Sequence, residues 1–142
     1  MTAASQPVSK QPLPPAPGAD ADSAFFWSGL REHKLLLQQC TSCRRFRFPA
    51  MPSCPYCASR DSSVSAASGT GSIYSWIVVH RAFDPAFSSE VPYTLASVDL
   101  DEGGRVVARL QVPAKVEFGL RVKALFVDHP DWTELRFQPI NP

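Results

Sequence analysis

From Ser72 onward the chain alternates apolar and polar residues with a period of two, the signature of strands with one buried face. Ile73 to Arg81 is β-branched and aromatic, and Tyr93 to Leu100 repeats that texture. The turn Asp101-Glu102-Gly103-Gly104 precedes a third run, Arg105 to Val112. Arg121 to Asp128 places Val122, Ala124 and Phe126 on one face, and Thr133 to Gln138 follows the turn His129-Pro130-Asp131. Five short strands predict a small barrel, and an OB-fold topology is preferred to an SH3-like barrel or an open sandwich.

The first half reads differently. Residues 1–21 are rich in Pro, Ala, Ser and Gln, with Pro7, Pro12, Pro14, Pro15 and Pro17 and little to bury, which predicts a disordered tail. Asp22 or Ser23 can cap a short helix carrying Ala24, Phe25, Phe26, Trp27 and Leu30, after which Leu35, Leu36 and Leu37 form a lead-in strand. Three adjacent large aromatics cover more than one narrow helix face, so part of that surface meets the rest of the chain or another protein. Arg44-Arg45-Phe46-Arg47-Phe48-Pro49 alternates basic and aromatic, as a strand with one packed and one wet face would. Ala58 to Gly71 is rich in Ser, Ala and Gly and reads as a connector. The expected organisation is a tail over 1–21, helix and lead-in strand over 22–39, a small metal-stapled module over 40–62 and the barrel over 63–142.

That module follows from the cysteines. The chain has four, Cys40, Cys43, Cys54 and Cys57: two C-x2-C pairs separated by ten residues. Each pair lets a tight knuckle turn two thiolates toward one point, and two knuckles complete a closed, tetrahedral, structural Zn2+ site, one ion per chain. Two disulfides are the alternative, but the N-terminus lacks the layout of an export signal. No apolar run reaches the roughly 20 residues that span a bilayer, so no membrane partner and a cytoplasmic location are expected. With 14 Lys+Arg against 13 Asp+Glu the net charge of +1 gives no global field for nucleic acid.

Little suggests independent catalysis. His80, Asp84, Glu90, Asp128 and His129 form no spacing diagnostic of a nucleophile and base, a metal-activated water or paired carboxylates, and every cysteine is committed to metal. Neither a P-loop nor a dinucleotide fingerprint occurs. Arg44, Arg45, Arg47 and Arg60 surround the metal module; they either offset the formal charge of about −2 on a four-thiolate Zn2+ centre or contact phosphate or an acidic partner. The stretch Trp76 to Tyr93, with His80, Arg81, Phe83 and Phe87, closes over an adenine or acyl chain, plugs into a partner, or caps the barrel end.

The order of features is more specific than any one of them. Phe25-Phe26-Trp27-Ser28-Gly29-Leu30, Leu35-Leu36-Leu37-Gln38-Gln39-Cys40, the two knuckles with Cys54-Pro55-Tyr56-Cys57, Gly69-Thr70-Gly71-Ser72-Ile73-Tyr74-Ser75-Trp76, Val91-Pro92-Tyr93 and Phe118-Gly119-Leu120-Arg121-Val122 together resemble the zinc-ribbon and OB-fold family associated with acyl-CoA metabolism. The resemblance implies a mainly β protein with an N-terminal helix, a rubredoxin-like zinc ribbon and a C-terminal five-stranded OB-fold. It also implies a non-catalytic subunit of a thiolase-superfamily enzyme, such as a thiolase or a steroid side-chain aldolase, or of a MaoC-type hydratase, with two copies of each chain. In such assemblies the OB-fold can contact the CoA part of an acyl-CoA substrate, and Arg47, Trp76, His80, Arg81, Phe83, Phe87 and Tyr93 are the candidate contacts here, with CoA or with the partner. A single-stranded nucleic-acid module and a scaffold that never touches CoA are the alternatives. The family usually has Gly directly after each second knuckle cysteine and at the helix end, where this chain has Arg44, Ala58 and His33. Positive φ at such residues costs on the order of 1 kcal/mol each.

Overall fold

The computed structural model describes residues 12–111 and 115–140. Residues 1–11 of the expected tail and Val112 at the end of the third barrel strand lie outside them.

Helix α1 spans Ala24–Arg31, with Phe26, Gly29 and Leu30 buried. Ser23 precedes it, but its side chain makes no capping bond. Instead Ser23 N–H and Oγ each donate to Asp20 Oδ1 at 2.8 Å, closing the preceding turn. The helix ends with His33 at φ 58°, His33 N–H donating to Leu30 C=O at 2.9 Å and Lys34 N–H to Gly29 C=O at 2.8 Å. That is a left-handed closure of the kind glycine usually makes. Here the His33 ring stacks on Phe126 at 5.2 Å and its Nε2 meets Asp128 at 2.9 Å, so the side chain offsets part of the strain.

Strand β1 (Leu36–Cys40) sits at the centre of a three-stranded antiparallel sheet between β2 (Phe46–Arg47) and β3 (Ser62–Ala66). Two sequence readings change here. The connector expected over residues 58–71 contains β3, whose five residues all pair with β1. Most of its side chains are exposed, so backbone pairing rather than apolar burial makes it a strand, and no hydrophobic alternation announces it. The alternation around β2 is reversed: Arg47 is 2% exposed while Phe46 and Phe48 are half-buried. Gln38 Oε1 accepts from Arg47 Nε at 2.7 Å and Met51 C=O from its Nη2 at 3.2 Å, which lets the guanidinium turn inward.

Strands β4 (Thr70–Val79), β5 (Tyr93–Leu100), β6 (Arg105–Leu110), β7 (Arg121–Asp128) and β8 (Thr133–Pro139) close a barrel in the order β4-β5-β6-β8-β7. All neighbours are antiparallel except β6 and β8, which is the OB-fold arrangement expected. Val98, Val106, Leu110, Val122 and Phe137 fill it and form one cluster with Leu30 of α1, Leu35 just before β1 and Leu37 of β1, so helix, ribbon and barrel share a core.

Polar contacts fix the same junction. The β5–β6 turn bridges it: Asp101 takes both Arg121 guanidinium nitrogens at 2.7 and 2.6 Å and Thr70 Oγ1 at 2.6 Å, while Glu102 accepts from Ser68 N–H at 2.7 Å. The β7–β8 turn is clasped to α1 by Arg31, which donates to the carbonyls of His129 and Pro130 at 2.9 and 2.8 Å.

At Gly71 β4 leaves no room for a side chain against β5, since a Cβ there would collide with the Asp99 carbonyl oxygen. Gly71→Ala is expected to destabilise the protein by about 1–3 kcal/mol, the usual cost of overpacking, measured by urea unfolding. The clasp sets an acid dependence. Thr133 Oγ1 and then His33 hold the Asp128 carboxyl below its usual 3.8, so its contribution is present above that value and is lost as pH falls through the lower folded-state pKa. Asp128→Asn is therefore expected to flatten the acid limb of a stability–pH profile below about pH 4.

Candidate metal centre and barrel-mouth loop

Two knuckles of the same build face each other. In the first, Cys43 N–H donates to Cys40 Sγ at 3.4 Å and Arg44 N–H to Cys40 C=O at 2.9 Å. In the second, Tyr56 N–H donates to Cys54 Sγ at 3.4 Å and Ala58 N–H to Cys54 C=O at 2.9 Å. Each turn closes through a residue at positive φ, Arg44 at 68° and Ala58 at 63°, the cost expected where glycine is absent. The knuckles are also pinned across the gap, Ser42 Oγ donating to Ser59 Oγ at 2.9 Å and the Arg45 guanidinium lying 4.5 Å over the Tyr56 ring.

All four Sγ atoms lie within 4.8 Å of one another, with Cys40–Cys57 and Cys43–Cys54 at 3.6 Å. A tetrahedral Zn2+ with Zn–S near 2.3 Å needs sulfurs about 3.8 Å apart, and a disulfide needs about 2.05 Å. The four cysteines are free thiols set for a structural zinc ion. Local electrostatics agree. The Cys43 amide leads in pulling the Cys40 thiol down to about 6. Burial opposes ionisation of Cys54, yet the amides of Tyr56 and Cys57 outweigh it. The Ser59 amide favours the Cys57 thiolate, but burial and the three other sulfurs push that thiol up to about 11. The last negative charge in such a cluster requires a cation.

The second candidate site is dispersed at the barrel mouth. Asp84 Oδ1 accepts from Ala86 N–H at 2.8 Å and starts a single 3₁₀ turn at Pro85–Phe87. Phe87 folds back toward Tyr93, ring centroids 6.1 Å apart, and Arg109 lies 4.7 Å over Tyr93. Phe83 points the other way and is 81% exposed, with the Arg81 guanidinium 5.6 Å from its ring, and His80 is exposed beside them. Trp76 stands apart, packed 4.9 Å from Phe118. Arg47 leaves the set: buried between β1 and the Met51 carbonyl, it cannot reach a surface ligand, and its partner Gln38 is the reason.

Sequence reasoning missed the outer face of β4–β6. Register places Ile77 opposite Leu95 and Ser97 opposite Val107, so Ile77 and Val107, both 62% exposed, share the outer face with Leu95 and with the polar Ser75, Ser97 and Arg109. Their period-two pattern was visible, but period alone does not say which face is wet. It also missed a polar cluster on β8, where Glu134 accepts from Arg136 Nε and meets His129 Nε2, both at 2.9 Å.

Comparison with known proteins fits this layout. Residues 27–63 match the family described as "ChsH2, rubredoxin-like zinc ribbon domain", and residues 64–127 match "ChsH2, C-terminal OB-fold domain". A "DUF35 domain-containing scaffold protein" of Methanocaldococcus jannaschii is 31% identical over 70% of this chain and 73% of its own length. The chain belongs to the ChsH2 (DUF35) family. A solved family structure titled "Ltp2-ChsH2(DUF35) aldolase" superposes with TM-score 0.77 and 38% identity, covering 87% of this chain and 98% of that one. The "Probable enoyl-CoA hydratase alpha subunit" of Thermomonospora curvata is 38% identical over 92% of this chain, and the "3-oxo-4,17-pregnadiene-20-carboxyl-CoA hydratase alpha subunit" of Mycobacterium tuberculosis 33% identical over 87%. The chain spans only 41% and 39% of those two relatives' lengths. Among the described residues no helix is long and apolar enough to cross a membrane.

Cys40→Ser removes one ligand and leaves three thiolates without closure. Bound zinc is expected to fall from about one ion per chain to near zero, with protease cutting between β1 and β3, as metal analysis and limited proteolysis will read.

Proposed function

We propose that this ChsH2-family chain is a non-catalytic subunit that docks on a thiolase-like enzyme, such as a steroid side-chain aldolase, and helps hold the CoA end of its acyl-CoA substrate. The observation that carries this reading is the superposition on nearly the whole of the ChsH2(DUF35) chain of an aldolase at 38% identity. A thiolase and a MaoC-type hydratase are the other enzyme partners of the same kind, the latter suggested by the hydratase names of the two longer relatives.

The surface chemistry supports a helper rather than a catalyst. Four barrel arginines are neutralised in place, Arg105 by Asp99, Arg109 by Glu90, Arg121 by Asp101 and Arg136 by Glu134. Arg81 lies over Phe83, outside these pairs, at the tip of an exposed loop. A guanidinium beside an exposed aromatic ring suits a phosphate attached to an adenine, the chemistry of the CoA head. The exposed Ile77 and Val107 on the outer face of β4–β6, set among Ser75, Ser97 and Arg109, suit a mixed apolar and polar protein contact. If Arg81 and Phe83 are the contacts, substrate affinity comes mainly from the partner's own pocket. A thiolase-like partner that is itself a dimer offers two equivalent docking surfaces, giving two copies of each chain.

Affinity purification of the tagged chain from its host is expected to recover a thiolase-like subunit in near-equal amount, read by mass spectrometry, and recovery of the chain alone would defeat the proposal. In the reconstituted complex, Arg81→Ala or Phe83→Ala is expected to raise the KM for acyl-CoA by about tenfold, roughly 1.4 kcal/mol, with unchanged stoichiometry on a sizing column. Unchanged kinetics in both variants would leave a scaffold that does not touch CoA.

A further inference from the structure

Strands β6 and β8 run parallel but pair only at Arg109↔Arg136 and Leu110↔Phe137. Strand parity fixes where their remaining backbone groups point. Gln111 N–H donates to Phe137 C=O at 2.7 Å, so odd residues of β6 face β8, while Gly104 C=O, on the even side, accepts from Leu100 of β5. Ile140 N–H donates to Arg121 C=O at 3.0 Å, so even residues of β8 face β7 and odd ones face β6. The next bond of a regular parallel ladder would join Leu135 N–H to Val107 C=O, and pairing stops before it. Val107 N–H and C=O and Leu135 N–H therefore point into a split between the strands.

Aromatic groups line that split. Phe26 and Trp27 of α1, Phe48 of the ribbon and Trp132 of the β7–β8 turn wall a cavity of 280 Å3, with Ala108 and Leu135 beside them. Phe26 packs 5.1 Å from Phe48, and Trp27 meets Trp132 edge-on at 6.3 Å. The one acidic wall residue, Glu134, is already bound to Arg136 and His129, so the cavity presents no free carboxylate. It suits an uncharged apolar group flanked by something that hydrogen-bonds.

We propose that an extended segment of the partner enzyme enters this split, pairing its backbone with Val107 on the open edge of β6 and seating one apolar side chain in the aromatic cavity. This rests on the docking reading above. An acyl chain would fill the cavity yet leave the Val107 N–H and C=O without partners, at a cost that buried peptide groups do not tolerate. An extended peptide satisfies both with one residue and directs its neighbour inward, the logic of strand addition. The split also opens toward the outer face of β4–β6, because the exposed Val107 side chain lies on that face, opposite Ser97. A partner on that face has its chain beside the opening.

Two measurements on the full chain and its complex test this. Hydrogen exchange of the 105–110 segment is expected to slow at least tenfold when the co-purified thiolase-like subunit binds. Val107→Pro removes an N–H that faces the split and not β5, a place where an edge strand tolerates proline, and is expected to weaken partner binding at least tenfold with zinc content unchanged. Val107→Ile keeps both the N–H and the apolar side chain and is expected to bind within twofold of the natural chain. Equal exchange in free and bound chain, or a complex that Val107→Pro joins as tightly, overturns the insertion while leaving the docking reading intact. Failure of the natural chain to form any complex overturns both. Slowing of the same amides as the chain alone is concentrated would seat a second copy there and overturn the assignment to the partner.

Discussion

Four sulfurs converging on one point are the constraint on which the rest of this protein depends. The ribbon has little apolar substance: β3 is largely exposed, β2 is two residues long, and its deepest charged side chain is an arginine. A sheet that thin does not stabilise itself by burial. The knuckles supply closure, and closure holds β1 in place. β1 in turn carries Leu37, which together with Leu35 just before it reaches into the barrel core. A loss at the metal centre is thereby transmitted to the packing of the barrel.

The barrel answers with polar contacts of its own. Asp101 gathers Arg121 and Thr70 into the β5–β6 turn, and the positive-φ glycines of that turn, Gly103 and Gly104, approach Phe46 and Phe48 of the ribbon closely enough that a Cβ would lie 3.5–3.7 Å from them. On the far side Arg31, His33 and Trp27 tie α1 to the β7–β8 turn and the end of β7. Exposed ion pairs of this kind are individually weak, but they are directional and select one relative placement of ribbon and barrel from among those the shared core permits. The proposed docking role would need that rigidity, since such a surface works only if its parts stay in register.

What was legible in the sequence divides along physical lines. β5, β6 and β8 were readable because each alternates over a buried core, and β5 and β7 begin and end where the sequence pattern does. The cysteine spacing announced the metal site because few other arrangements use two such pairs. β3 was not readable, being held by hydrogen bonds to β1 with almost nothing to bury. Arg47 was misread because a basic residue in an alternating run is ordinarily the wet one, and only Gln38, distant in sequence, turns it inward. The outer face of β4–β6 and the β6–β8 split were hidden for a different reason. Both depend on which strands are neighbours and where pairing stops, and periodicity carries neither.

That last property links the fold to its use. An OB barrel closes by joining its third and fifth strands in parallel, a short and slanted connection that leaves the remainder of both edges to be covered. In this chain α1 and the ribbon cover part of that opening with aromatic rings, and the same rings wall the cavity that stays open. Helix, ribbon and barrel thus converge on one place where backbone groups are still available. Arg105, Arg109, Arg121 and Arg136 on the barrel strands are neutralised in place, the thiols are gathered for a metal, and exposed apolar residues lie beside a sheet edge whose ladder stops short, an arrangement that suits the proposed addition of a strand from a partner.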